Sequence, residues 1–303
     1  VTAATGPRGD GPQRRGPGIP LGRCRRGAGR RRQLTTAQKA VFASPQDLQA
    51  FREYGESWYR TRKELESRFQ PQKPLAQQPL VTAEARCKLV SWLIQVHRSF
   101  DFTFESLCLS VNILDRFLDT TSVASDCFQL LGVTALFIAC KQVEVDPPLI
   151  KDLLALCCDA FSLQQLRTLE CVVLERLNFD VAAPTMSFFL EHFIQVRLEA
   201  HSDSEREASV AKIVAEGFGV LSLADYSFIK YTPSLLAASS LGLADRLLQH
   251  RYPLDLQVHG YSEEDLQECM GKLQLLASLN QETLKFLLPP EVAEECHWLQ
   301  GVR

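Results

Sequence analysis

The sequence predicts an all-α chain in which an N-terminal helix precedes two related helical halves. Three observations predict it. Apolar residues recur at helical spacing from about residue 45 to 290. No apolar/polar alternation is long enough to make a strand. A stretch of the first half, Leu130-Leu131-Gly132-Val133-Thr134-Ala135-Leu136-Phe137-Ile138-Ala139-Cys140-Lys141, is echoed 105 residues later by Leu235-Leu236-Ala237-Ala238-Ser239-Ser240-Leu241-Gly242-Leu243-Ala244-Asp245-Arg246. Both are small and apolar, end in a cation and precede a proline turn. The offset exceeds solenoid periods and points to duplicated domains.

The elements follow in order. Residues 1–43 are rich in Gly, Pro and Arg without periodicity, as in a disordered head. Within it the Arg-rich run from Gly22 to Arg32 reads more simply as a solvated basic tail than as a nuclear import signal or nucleic-acid patch. Arg31-Arg32-Gln33-Leu34 fits the minimal R-x-x-L destruction-box pattern. Order begins at Ser44-Pro45-Gln46-Asp47, a good N-cap followed by proline at the first helical position. Leu48, Phe51, Trp58 and Leu65 follow at helical spacing, and a polar linker over 70–79 ends this helix.

Thr82 can cap a helix with the stripe Ala85, Leu89, Trp92, Val96 and Phe100. Thr103 can cap another with Leu107, Val111, Leu114 and Leu118 inward. Residues 128–140 are apolar nearly all round, as in a helix buried on every side. After Pro147-Pro148 comes a short helix over 149–158. Ser162-Leu163-Gln164-Gln165 is a capping box, and Asn178 suits the left-handed position beyond that helix. The second half restarts at Pro184-Thr185, with further helices over about 206–223, from Thr232-Pro233 and from Ser262. The organisation is a head over 1–43, an N-terminal helix and linker over 44–78, a first fold over 79–182, a second over 183–291 and a C-terminal tail over 292–303.

Charge and cysteine narrow the function. Residues 1–40 carry nine Arg and Lys39 against Asp10, whereas the remaining 263 residues hold 23 Lys+Arg and 35 Asp+Glu. An acidic body argues against a surface that grips phosphates. The ten cysteines include no C-x-x-C pair. Seven of them, Cys87, Cys108, Cys127, Cys140, Cys157, Cys171 and Cys269, lie in apolar helix-like stretches, which predicts reduced, buried thiols in an intracellular protein, cytoplasmic and/or nuclear. The longest apolar run, 130–140, is too short to span a bilayer, and no signal-peptide pattern is read. There is no G-x-S-x-G, H-E-x-x-H, P-loop or G-x-G-x-x-G, and the six histidines are scattered. The sequence therefore predicts no catalytic residue, no metal and no cofactor.

Four charges interrupt apolar helices: Arg86, Asp115, Lys141 and Glu170. Each is costly unless paired, solvated at a flank or facing a partner. Their surroundings resemble a known family. Arg86-Cys87-Lys88-Leu89-Val90-Ser91-Trp92-Leu93-Ile94-Gln95-Val96, Leu114-Asp115-Arg116-Phe117-Leu118, Ala139-Cys140-Lys141 and Pro147-Pro148 resemble the cyclin box. Asn178-Phe179-Asp180-Val181-Ala182-Ala183-Pro184-Thr185 is similar to the junction into a second cyclin fold. Leu223-Ala224-Asp225-Tyr226 and Tyr231-Thr232-Pro233-Ser234 are similar to that second fold.

The resemblance implies two tandem five-helix cyclin folds preceded by an N-terminal helix. It implies a heterodimer with a cyclin-dependent protein kinase. In it, Lys141 and Glu170 hydrogen-bond the backbone around the kinase's regulatory helix, and Ile138, Leu174, Phe179 and Val181 line the apolar contact. It implies a structural Arg86–Asp115 ion pair. It implies a substrate-docking groove of which Leu89, Trp92 and Gln129 remain, while Ala85 and Lys88 stand where a Met and an aliphatic residue are usual; kinase substrates are thus further partners. Within the family, the resemblance implies cell-cycle-type control of centriole amplification and multiciliated cell differentiation. Two alternatives remain at this point: a transcription-type tandem cyclin-fold protein that binds nucleic acid, or a DNA glycosylase. The first would carry a zinc ribbon and a basic body, the second a basic groove with a base-sized pocket.

Overall fold

A computed structural model describes residues 45–201, 204–255 and 260–299. The basic head, its R-x-x-L motif and the Ser44 cap lie outside the described residues. Within them every regular element is a helix: α1 (Pro45–Phe69), α2 (Ala83–Phe100), α3 (Phe104–Thr120), α4 (Phe128–Val143), α5 (Ile150–Leu156), α6 (Leu163–Arg176), α7 (Met186–Ala200), α8 (Glu205–Ala224), α9 (Pro233–Leu248), α10 (Glu263–Leu279), α11 (Gln281–Leu287) and α12 (Pro290–Glu295), with short 3₁₀ turns at Tyr226–Lys230 and His297–Leu299. No helix among them is long and apolar enough to cross a membrane.

The helix starts are set locally. Thr82, Thr103, Thr185, Thr232 and Ser262 each accept a hydrogen bond from the backbone N–H of the third residue on, satisfying a donor that the first helical turn leaves orphaned. Ser162 and Gln165 form the reciprocal box at α6. At the far end of α6, Asn178 has φ 52°, the left-handed cap its short polar side chain tolerates.

Two cores result. One gathers α2 to α6 around α4, whose residues from Leu130 to Cys140 are all buried. Gly132 permits the approach of α2: a Cβ there would stand 2.9 Å from a Leu89 methyl. The second gathers α7 to α11 around α9. The echoed stretches are thus the third helix of each unit, the central one that must be apolar on most faces. Val292, Cys296 and Leu299 are also buried in the second core, so the segment read as a tail packs there through residue 299.

Helix α1 packs on α7 and α9. Trp58, whose spacing placed it on the apolar stripe, is 59% exposed, and Tyr59 turns inward instead. Tyr59 stacks on His192 at 4.4 Å and meets Phe189 edge-on at 5.8 Å. Spacing finds an apolar stripe but not which edge of it a neighbour will cover. Lower on α1, buried Glu66 accepts hydrogen bonds from Ser234 N–H (2.6 Å) and Ser234 Oγ (2.9 Å), capping α9 from another helix. In the linker, buried Gln78 donates to the Leu118 and Thr121 carbonyls, each at 2.7 Å, and accepts from Val123 N–H at 3.0 Å. That fills its amide's needs and pins the end of α3.

The cysteine expectation needs correction. Cys108, Cys140, Cys157 and Cys269 are buried, but Cys87, Cys127 and Cys171 are exposed. An apolar neighbour on each side along the chain does not cover the residue between them when the helix meets the core on one face only.

Glu216 on α8 carries a testable consequence. Burial lifts its carboxyl to about 7, against the nearby Lys212, which favours the charged form. The folded chain then holds a proton that the unfolded chain has released, so stability falls as pH rises from about 4.5 to about 7. Glu216→Gln is expected to recover about 2–3 kcal/mol of that loss above pH 7. Melts at pH 5 and pH 8 check it: the variant's advantage grows between them, and parallel pH profiles would refute the assignment.

Candidate functional site

The two pairs of interrupting charges end in different surroundings. Arg86 and Asp115 face each other across α2 and α3. Nε donates to Oδ1 and Nη2 to Oδ2, each at 2.7 Å, with both side chains nearly inaccessible. Burial alone would depress the Arg86 guanidinium, but the Asp115 charge and its hydrogen bonds outweigh that and hold it above its ordinary value. Arg86 Nη1 also donates to the Leu223 carbonyl at 3.0 Å, at the C-terminus of α8, where a cation suits the helix dipole. The pair therefore belongs to the seam between the two units. A second buried pair went unread in the sequence: Arg197 donates to Asp245 Oδ1 at 2.6 Å, and His250 Nδ1 lies 2.8 Å from the same oxygen.

The other two charges lie near the surface. Lys141 leaves the last turn of α4, and Glu170 stands on α6, the helix that packs against α4. They pair with each other, Lys141 Nζ donating to Glu170 Oε1, and the ammonium sits 4.7 Å from the Phe137 ring centroid. The two are unevenly covered. Glu170 is mostly covered, at 14% side-chain exposure, while Lys141 keeps 42%. Two opposite charges on adjoining helices meet where those helices pack. The end of α4 is held independently: Glu144 Oε1 accepts from Thr103 N–H at 2.8 Å and from Thr103 Oγ1 at 2.9 Å.

About two turns beyond Glu170, just past the end of α6, stand two successive left-handed residues, Asn178 and Phe179, with φ 52° and 56°. The Phe179 N–H closes the turn onto the Leu174 carbonyl at 2.8 Å. For an aromatic residue this conformation is strained, and such strain clusters at functional positions. It leaves the Phe179 ring 68% exposed. Leu174 and Val181 are half-buried. Ile138, by contrast, is only 3% exposed and lies in the first core, so it presents no surface in the free chain. Sequence reasoning missed Val145 and Leu149, exposed at 96% and 57% on the loop that follows Lys141. Exposure of a loop apolar residue has no periodic signature.

The segment carrying Phe179 is clamped at its back. Arg68 pairs with the Asp180 carboxylate, Arg116 donates to the Asp180 carbonyl and Arg62 to the Ala182 carbonyl. Of the docking-groove residues, Leu89 is buried against Gly132, while Trp92 and Gln129 are half-buried. Lys88 points outward and pairs with Glu84. No cluster able to hold a metal ion occurs among the described residues.

Comparison with known proteins agrees with the two-unit helical fold. Residues 57–182 match the model of the cyclin N-terminal domain and residues 184–287 that of the cyclin C-terminal domain. The chain is 59% identical over 250 residues to Cyclin-O of Homo sapiens, covering 82% of this chain and 71% of that protein. It is 55% identical over 249 residues to Cyclin-O protein B of Xenopus laevis, covering 81% and 68%. Among solved structures, a viral cyclin from herpesvirus saimiri aligns with TM-score 0.53 and 22% identity over 74% of this chain and 90% of that one. The yeast RNA Pol II CTD kinase CTDK-1 complex aligns with TM-score 0.52 and 15% identity over 72% and 75%. At those identities the structural likeness speaks for the fold alone.

Proposed function

Because this chain belongs to the cyclin family, we propose that it is the regulatory subunit of a cyclin-dependent protein kinase, acting by contact and without catalysis of its own. The observation that carries the reading is the rim formed by α4, α6 and the turn after α6. It offers one cation and one anion that, among the described residues, form an ion pair only with each other, beside an aromatic ring held outward by a strained backbone. Lys141 can donate to exposed carbonyls of a partner, and Glu170 can accept from exposed N–H groups. Phe179, with Leu174 and Val181 behind it, supplies the apolar contact.

Activation then follows as a population shift. The rim binds only the kinase state whose regulatory helix is turned inward, and so raises the share of that state. The inward helix completes the Lys–Glu pair that phosphoryl transfer needs. The resemblance extends the proposal to control of centriole amplification and multiciliated cell differentiation, in the cytoplasm and/or nucleus. Pull-down from ciliating epithelium, followed by identification of the retained kinase, tests that extension; capture of no kinase would remove it.

Phe179→Gly separates interface from fold. Glycine accepts positive φ without strain, so the free variant should melt at or slightly above the parent temperature. Loss of the exposed ring should weaken kinase binding by roughly tenfold or more, in line with the burial of one aromatic side chain. Unchanged kinase affinity in a calorimetric titration would show that the ring lies outside the interface.

A further inference from the structure

We propose that Arg62 and Arg68 of α1 are positioning residues for the kinase contact: they hold the segment after α6 in the path that turns the Phe179 ring outward. The inference rests on the kinase reading above and adds to it the part that α1 plays.

A strained backbone persists only where its surroundings over-determine it. The Phe179 ring is not that support, because the residue is 68% exposed and buries little. Local hydrogen bonds close the turn. Besides the Phe179 N–H, the Asp180 N–H donates to the Leu177 carbonyl at 2.9 Å and the Val181 N–H to the Phe179 carbonyl at 3.1 Å. None of these bonds ties the segment to another element. Three guanidiniums do. Arg116 Nη1 donates to the Asp180 carbonyl at 2.8 Å, Arg62 Nη1 donates to the Ala182 carbonyl at 2.8 Å, and Arg68 pairs with the Asp180 carboxylate. Two of the three contacts fall on backbone carbonyls, so they fix the path of the chain itself.

The cations are themselves seated on rings. Arg68 and Arg116 lie 5.7 and 4.8 Å from the centroid of the buried Phe69 ring, and Arg62 lies 5.2 Å from that of Phe188. Arg116 stands on α3, in the same unit as the turn. Arg62 and Arg68 come from outside it. Helix α1 packs on α7 and α9 of the second unit and reaches the first core through Leu65 and Phe69. The seat of α1 on the second unit is thereby transmitted to the kinase-facing turn of the first.

The test uses the full chain carrying Arg62→Ala with Arg68→Ala, beside Arg62→Lys with Arg68→Lys, which keeps both charges and a donor at each position. Amide hydrogen exchange over residues 178–183 of the free chain is read by mass spectrometry. Exchange there is expected to run severalfold faster in the alanine variant and close to the parent rate in the lysine variant. Arg68→Ala alone, at a side chain 66% exposed, should show a smaller acceleration at an unchanged melting temperature. It keeps the test sound should Arg62→Ala disturb the packing near Glu105. In calorimetric titration with the kinase retained in the pull-down, the alanine variant should bind roughly tenfold more weakly. The same two substitutions added to Phe179→Gly should cost less than about twofold more, because no ring is left to position. Parent-like exchange in both alanine variants would overturn the positioning role alone. An equal loss of affinity in the parent and Phe179→Gly backgrounds would overturn it too, by making the two arginines direct contacts. A parent chain that binds no kinase would strike the kinase reading and the positioning role with it.

Discussion

Lys141→Ala combined with Glu170→Ala is expected to weaken kinase association by roughly two to four orders of magnitude while leaving the free chain folded. In the proposed complex each residue supplies a charged arm for backbone groups of the kinase, and hydrogen bonds to charged groups contribute about 1.5–3 kcal/mol each. At about 1.4 kcal/mol per tenfold, two such bonds give the stated range. Against this stands the internal pair that binding must break. Lys141 is 42% exposed, and ion pairs near the surface are worth only about 0–1 kcal/mol, so the exchange still favours the complex. The same small value explains why the free variant should melt close to the parent. Kinase affinity and melting temperature are measured together. A large drop in melting temperature would make the pair structural, and undiminished affinity would place the interface elsewhere.

Asp115→Ala is expected to cost about 3–5 kcal/mol of folding stability, because it strands the Arg86 guanidinium among buried groups. The loss would match that of a large core truncation, about 2–5 kcal/mol, and it falls at the seam, where Arg86 also donates to the Leu223 carbonyl on α8. The neutral pair Arg86→Met with Asp115→Leu should recover much of it, as apolar replacements of buried ion pairs do. Urea unfolding of the parent, the single variants and the double variant forms a cycle, and a coupling energy near zero would mean that the two charges act independently.

The sequence made visible what is decided within a few residues. Thr82, Thr103, Ser162, Thr185, Thr232 and Ser262 announce helix starts because a cap acts on its own third neighbour. Residues 128–140 announce a central helix because no face of it is polar. Arg86 and Asp115 drew notice through the cost of a lone charge in an apolar stripe, and each turned out to be the other's answer. What stayed hidden depends on contacts between distant segments. Glu66 caps α9 across 168 residues. Arg197 and Asp245 sit near helix ends, where charges are ordinarily solvated, so neither stood out before the fold closed over them. Ile138 shares an apolar turn with Lys141, yet only the packing of α4 shows that it faces the core. The helices α11 and α12, at 7 and 6 residues, are too short to display a period.

The central claim is that this chain turns a kinase on through the rim of α4 and α6. The direct measurement is the phosphoryl-transfer rate of the kinase captured from ciliating epithelium, purified away and assayed alone, with the parent chain, and with the Lys141→Ala, Glu170→Ala variant. The account predicts that the parent chain raises the rate severalfold or more and that the variant, at the same concentration and still folded, does not. Equal stimulation by parent and variant, or no stimulation by either, would contradict it.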